Sequence, residues 1–135
     1  QSLEEWLEIM RVNLIGAARL TSACFPLLCA SQDASVLFTS CTQGHQPKAY
    51  WGNFAVAKAG VEALVKVLAD EWEHYSHLRV NTLIPGAVDS PQRAKTHPAE
   101  NKDALPTMGT LMQTYVYWMS QASHGRTGGV IQCGG

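Results

Sequence analysis

A few polar side chains in apolar surroundings could do chemistry in this chain. Lys58 follows Phe54 by four residues, which places both side chains on one face of a helix. Cys41 ends a short apolar run, and a thiol close to a lysine ammonium can act as a nucleophile or a redox group. A cysteine in this setting is more often a small buried residue, and we favour that interpretation. Pro85 and Gly86 end a second apolar run abruptly.

The elements that must position these residues follow from hydrophobic periodicity. Apolar spacing predicts three main helices, over residues 2–28, 53–75 and 105–121, the first opened by a capping box of Ser2 and Glu5. Short apolar runs predict strands at residues 34–40, 78–84 and 129–133. This alternation predicts an α/β domain with a parallel sheet and right-handed crossovers over residues 1–135. The polar segment 87–104 is predicted to be a long loop.

Composition excludes several classes of function. The net charge of −1 argues against nucleic acid as a partner. His74 and His77 have no cysteine or carboxylate cluster around them, so no metal site is predicted. The four cysteines match no disulfide framework, which indicates a reducing, cytoplasmic location. No apolar run reaches about 18 residues, so we expect no membrane span. A chain that opens on a helix start without methionine is expected to be a fragment.

Four segments, in order and spacing, resemble the short-chain dehydrogenase/reductase (SDR) family. They are Arg11–Leu14, Val36–Cys41, Phe54–Ala59 and Arg79–Gly86. The resemblance covers essentially the whole chain and corresponds to the second half of the family only. It implies a partial, three-layer Rossmann-like fold with about three strands, and a parent enzyme that transfers hydride between NAD or NADP and an alcohol or carbonyl.

The resemblance also implies an Asn-Ser-Tyr-Lys tetrad, and this chain keeps half of it. Asn13 and Lys58 match the Asn and the Lys, whereas Phe54 stands at the Tyr position and Cys41 at the Ser position. In the family the Tyr exchanges a proton with the substrate, and the Lys lowers the pKa of the Tyr and holds the ribose. Phenylalanine has no ionisable proton, so we expect the chain to be inactive.

Other interpretations of these positions stay open. Lys58 could equally be an ordinary polar helix residue, and Asn13 could bond only to the helix backbone. Neighbouring hydroxyls do not replace the missing groups simply, because Tyr50 is eight residues before Lys58 and Ser40 and Thr42 flank Cys41.

Residues 85–90 resemble the family's Pro-Gly-x-Val-x-Thr stretch, whose backbone touches the nicotinamide. The resemblance implies cofactor contacts from Lys58, Pro85, Gly86, Val88 and Ser90. No glycine-rich turn for a pyrophosphate occurs in the sequence, so tight binding of NAD or NADP by this chain alone is not expected.

An alternative function is a non-catalytic scaffold. In the family the first two long helices form the main oligomer interface, and their apolar stripes at 2–28 and 53–75 are retained here. We therefore expect a homo-oligomer, whether or not the chemistry survives. The sequence does not identify the substrate, because the loop at 87–104 has no recognisable specificity pattern.

Overall fold

The computed structural model describes residues 1–87 and 90–133. Its centre is a three-stranded parallel sheet in the order β1-β2-β3, formed by Ala34–Thr39, Leu78–Ile84 and Val130–Gln132. Ala34 lies opposite Leu78, and Thr82 lies opposite Val130. All seven residues of β2 are buried because the strand is covered on both faces and paired on both sides. The predicted parallel α/β sheet is confirmed.

In the described part of the chain, six α-helices surround the sheet. They are α1 (Leu3–Met10), α2 (Gly16–Ala30), α3 (Thr42–His45), α4 (Gly52–Glu71), α5 (Pro91–Thr96) and α6 (Met108–Met119). The three main helices were predicted, with α1 and α2 as one element. A π-helical segment, Arg11–Ile15, joins α1 to α2. The short helices α3 and α5 were predicted as loop. Ser90 caps α5 and Pro91 occupies its first turn, which is a recognisable start signal.

The core lies on both faces of the sheet, which confirms the three-layer arrangement. Phe38 and Val80 pack on one face against Val61 and Val65 of α4. On the other face, Leu83 packs against Leu111 and Trp118 of α6. The alternation of side chains along β2 therefore serves two separate apolar clusters.

The helical segment from Leu3 to Ala30 is also long and apolar enough, by length and composition, to cross a membrane. An 18-residue window in it has a mean hydropathy of 1.4, and none of that window is buried. Core helices of soluble proteins pass the same test, so this is weak evidence. The criterion of an uninterrupted apolar run missed this helix because polar residues interrupt it. The absence of a membrane partner stays a prediction.

A buried arginine ties the start of β2 to the end of α6. Arg79 is only 2% exposed. Its Nε donates to Ser123 Oγ at 2.9 Å, and its Nη2 donates to the backbone oxygen of Ser120 at 2.7 Å. Asp33 accepts from both terminal nitrogens of this guanidinium, which lowers the pKa of the Asp33 carboxyl. A contact from His124 lowers it further.

Candidate functional site

The carboxyl ends of the three strands meet at one edge of the sheet, where the sequence predicted the cofactor contacts. A cavity of about 560 Å³ opens there, which we call the edge cavity. Cys41 lines it after β1, Pro85 and Gly86 after β2, and Cys133 after β3. In open parallel sheets, ligands bind at this edge. Gly86 has φ 72°, a left-handed conformation that lets the chain turn directly after the strand.

A second, larger cavity of about 790 Å³ adjoins the same turn and is called the loop cavity. Its apolar walls come from Trp51, Phe54, Met108 and Leu111. Pro85, Gly86, Ser90 and Arg93 also line it. Phe54 therefore faces the predicted cofactor turn across one cavity.

Lys58 and Phe54 lie together on α4, as the spacing predicted. The Lys58 ammonium nitrogen is 5.8 Å from the centroid of the Phe54 ring. This is a cation–π contact, and the Phe54 ring carries no hydroxyl. The same nitrogen donates a hydrogen bond to the backbone oxygen of Thr39, 3.1 Å away at the end of β1. Lys58 is thus held at the carboxyl edge of the sheet by the backbone rather than by a side-chain partner.

Asn13 lies in the π-helical segment and shares a third cavity, of about 510 Å³, with Lys58 and β1. Its side-chain nitrogen donates to the backbone oxygen of Ile9 at 3.1 Å. Single π-helical turns inside α-helices occur frequently at functional sites. The structure therefore places Asn13 in the same cavity as Lys58. Cys41 lines the edge cavity, and Phe54 lines the loop cavity.

A buried carboxylate on α4 holds the turn that carries Cys41. Glu62 is 8% exposed and accepts from Ser40 Oγ at 3.1 Å. His45 Nδ1 lies 2.8 Å from the other carboxylate oxygen. Ser40 and His45 flank the Cys41 turn on its two sides, so Glu62 fixes both ends of it.

Close approach of α3 to α4 requires glycine at position 44. A Cβ atom on Gly44 would lie 2.5 Å from Cβ of Lys58, which is a steric clash. Sequence reasoning missed this packing, because Gly44 and Lys58 lie on different helices and no local pattern in the sequence pairs them.

Ser90 and Val88 are the remaining predicted cofactor contacts, and the structure describes only the first of them. Ser90 lines the loop cavity, and its hydroxyl caps α5 by accepting from the Arg93 backbone nitrogen at 3.1 Å. Val88 lies outside the described residues. The Tyr50 side chain is fully exposed, with a left-handed φ of 72°.

Thiol and metal chemistry have limited support at this edge. Burial raises the pKa of the Cys133 thiol, and a hydrogen bond with Thr114 partly opposes this shift. A raised pKa disfavours the nucleophilic thiolate. Within residues 1–87 and 90–133, no group of three or more His, Cys, Asp or Glu side chains could hold a metal ion.

The nicotinamide end of a dinucleotide fits the residues that are present. The edge cavity combines the half-buried backbone turn at Gly86 with a lining of polar and apolar side chains, and Lys58 lies at the adjacent strand end. The sequence has no glycine-rich turn of the kind that holds a pyrophosphate at a helix N-terminus. A parallel α/β sheet with ligand-sized cavities at its carboxyl edge is the arrangement in which doubly wound α/β proteins bind their ligands.

Residues 1–101 match the family model described as short chain dehydrogenase. The chain therefore belongs to the short-chain dehydrogenase family. It is 37% identical over 128 residues to the protein named "Uncharacterized oxidoreductase YciK" of Escherichia coli K12, covering 95% of this chain and 50% of the relative. It is 31% identical to the NADP-dependent mannitol dehydrogenase of Alternaria alternata, covering 94% of this chain and 51% of that protein.

Solved structures agree with this assignment. A short chain dehydrogenase from Salmonella enterica serovar Typhi superposes with a TM-score of 0.89 at 36% identity, covering 98% of this chain and 54% of the other. A short chain dehydrogenase from Escherichia coli CFT073, complexed with NADPH, gives a TM-score of 0.87 at 36% identity with the same coverage. The chain spans about half the length of these relatives. These matches confirm the family and the partial Rossmann-like fold, but they do not confirm the assignment to the family's second half.

Proposed function

We propose that this chain forms the nicotinamide and substrate end of an SDR-type oxidoreductase site that has lost its proton donor. The observation that carries the proposal is the Phe54 ring, which lies 5.8 Å from the Lys58 ammonium at the position where the family has a hydroxyl. The parent reaction is hydride transfer between NADP(H) or NAD(H) and an alcohol or carbonyl. As it stands, this chain is proposed to be inactive.

The proposed roles follow from where each side chain lies. Lys58, held by the Thr39 oxygen, has further N–H donors and would hold the ribose of a bound dinucleotide. The Pro85–Gly86 backbone and Ser90, which line the loop cavity, would contact the nicotinamide, and Asn13 lines the cavity that Lys58 also lines. Bound NADP(H) would supply or accept the hydride. A reduced carbonyl oxygen also needs a proton, and the phenyl ring of Phe54 has none to give.

The NADPH complex of the Escherichia coli CFT073 relative supports NADP or NADPH as the cofactor of the parent site. A complete site would also need residues that hold the pyrophosphate. We therefore propose that the chain alone binds the dinucleotide weakly. A cytoplasmic location remains a proposal.

Calorimetric titration of the chain with NADP, and separately with NAD, tests this proposal. We expect dissociation constants weaker than about 1 mM, because only one end of the cofactor has partners. Nicotinamide mononucleotide is the matched control, since it lacks the second phosphate and the adenosine and should bind about as weakly as the dinucleotides. A micromolar dissociation constant for either dinucleotide would contradict the proposal.

A second candidate function is an oligomerisation scaffold, and the observation that favours it is the exposed apolar face of α1 and α2. Leu7, Leu20 and Leu27 are 61%, 67% and 74% exposed. Contiguous exposed apolar residues mark interaction surfaces. This face and the outer side of α4, where Val56 and Val67 are about half exposed, are the proposed self-association surface.

Light scattering over a dilution series tests the scaffold. We expect a dimer or larger species for the wild type, and a shift toward monomer for Leu20→Glu combined with Leu27→Glu, because charges oppose burial of this face. Met112→Glu combined with Val116→Glu is the matched control, since it places the same two charges on exposed apolar positions of α6. A well-folded wild type that stays monomeric at every concentration would exclude the scaffold.

A further inference from the structure

The edge cavity and the loop cavity share one charged side chain, Arg93 of α5. Among the described residues that line the two cavities, it is the only lysine, arginine or carboxylate. Its side chain is 29% exposed, so the guanidinium is partly shielded from water. A single cation at the junction of two cavities is a natural anchor for a ligand that enters either one.

The position of Arg93 is set by its backbone and by one partner. Its backbone nitrogen donates to Ser90 Oγ, which anchors the first turn of α5 beside the Gly86 turn. Its Nε and Nη2 atoms donate to the two oxygens of Glu100 at 2.7 and 2.9 Å. This pairing lowers the pKa of the Glu100 carboxyl, so Glu100 is a carboxylate at neutral pH.

The Glu100 pair leaves part of the guanidinium for a ligand. Arginine has five N–H donors in a planar fork, and the two bonds to Glu100 occupy two of them. Arginine forks recognise planar carboxylates because two parallel hydrogen bonds fit the two oxygens. Glu100 already demonstrates this mode of recognition at one edge of the same side chain.

The rest of the loop cavity indicates what accompanies the anion. Trp51, Phe54, Met108 and Leu111 supply an apolar wall, and the volume of about 790 Å³ suits a small organic ligand. We propose that Arg93 is a specificity-determining residue that anchors the carboxylate of a substrate with an apolar or aromatic body. This proposal deepens the proposed function and rests on it only in calling the ligand a substrate. Binding of the carboxylate itself requires neither cofactor nor turnover.

The experiment compares 3-phenylpropanoate with its neutral analogue 3-phenylpropanamide, titrated into the chain and followed by amide chemical shifts in NMR. We expect the carboxylate to bind about 10-fold more tightly than the amide, since charge-assisted hydrogen bonds are roughly twice as strong as neutral ones. Arg93→Gln should remove that preference. Glu100→Gln should increase it, because Arg93 then loses its competing anion.

Lys95→Gln is the matched control, since it removes the same charge from an exposed position of the same helix. It should change the preference by less than about twofold, as exposed charges are screened. The opposite effects of Arg93→Gln and Glu100→Gln distinguish an anchor from a structural pin, which both variants would weaken alike. Equal binding of the two probes, binding of neither, or parallel effects of these variants would overturn the proposal. If the carboxylate binds at Arg93 but Phe54→Tyr restores no turnover, the anchor stands and the proposed function fails.

Discussion

Phe54→Tyr is expected to raise the rate of NADPH-dependent carbonyl reduction by about 10²–10⁴-fold, the usual contribution of a positioned general acid. The assay uses a version of the protein that also carries a nucleotide-binding half. The reason is that Phe54 and Lys58 already face each other on α4, with 5.8 Å between the ammonium nitrogen and the ring centroid. A phenol at this position would meet a cation that favours its ionised form.

The Lys58 ammonium is well placed to tune a new hydroxyl. It is held by the Thr39 oxygen at the strand end and has further N–H donors available. A neighbouring positive charge lowers the pKa of a phenol from its usual value of about 10. Cys41→Ser added to Phe54→Tyr should raise the rate again, because it places a hydroxyl at the position that we match to the family's serine, in the lining of the edge cavity.

Two controls separate proton donation from packing. Phe54→Leu removes the ring without adding an ionisable proton and should leave the rate of carbonyl reduction at the wild-type level. Adding Lys58→Met to Phe54→Tyr should remove most of the gain. If the wild type turned over as fast as Phe54→Tyr, another group such as Cys41 or Tyr50 would carry the proton, and the inactive-site proposal would be wrong.

Arg79→Met is expected to lower the free energy of unfolding by about 3 kcal/mol, in the range found when one partner of a buried ion pair is removed. Arg79 is almost completely buried and bonds Asp33, Ser120 and Ser123. Its loss leaves the Ser120 carbonyl and the Asp33 carboxylate with fewer donors, and buried polar groups without partners are costly. Urea unfolding followed by tryptophan fluorescence measures the effect.

A matched control for this variant lies on the surface of the first helix. Arg11→Met breaks the Arg11–Glu8 pair, in which both side chains are mostly exposed, and should lower the free energy of unfolding far less than Arg79→Met does. If both variants lowered the free energy of unfolding equally, the buried Arg79 network would contribute no more stability than an ordinary surface ion pair.

The effect of Arg79→Met should also depend on pH. The folded-state pKa of Asp33 is lowered, chiefly by the hydrogen bond from Arg79 and next by that from His124. A lowered pKa contributes stability above the unfolded value of about 3.9, and this stability is lost as pH falls through the folded value. The difference in unfolding free energy between wild type and Arg79→Met should therefore narrow below about pH 4. A constant difference from pH 7 to pH 2 would assign the effect to packing alone.

Local patterns in the sequence were sufficient for the order of the main elements. Helix and strand periodicities, with the breakers Pro85 and Gly86, depend on neighbours within a few residues, so they predicted three strands and three long helices. The spacing of Phe54 and Lys58 likewise determined that they share a helix face. The short helix α5 was missed, although Ser90 and Pro91 form a local start signal.

Only the tertiary structure decided which polar groups are buried and what they hold. A charged residue on a helix is expected to face solvent. Glu62 of α4 is instead buried against Ser40 and His45, which are 22 and 17 residues earlier in the chain. Arg79 meets Asp33 across 46 residues, and Arg93 reaches the junction of two cavities only because α5 packs beside the strand ends. Such partners come from distant elements that the sheet brings together, and a single sequence carries no local periodicity that pairs them.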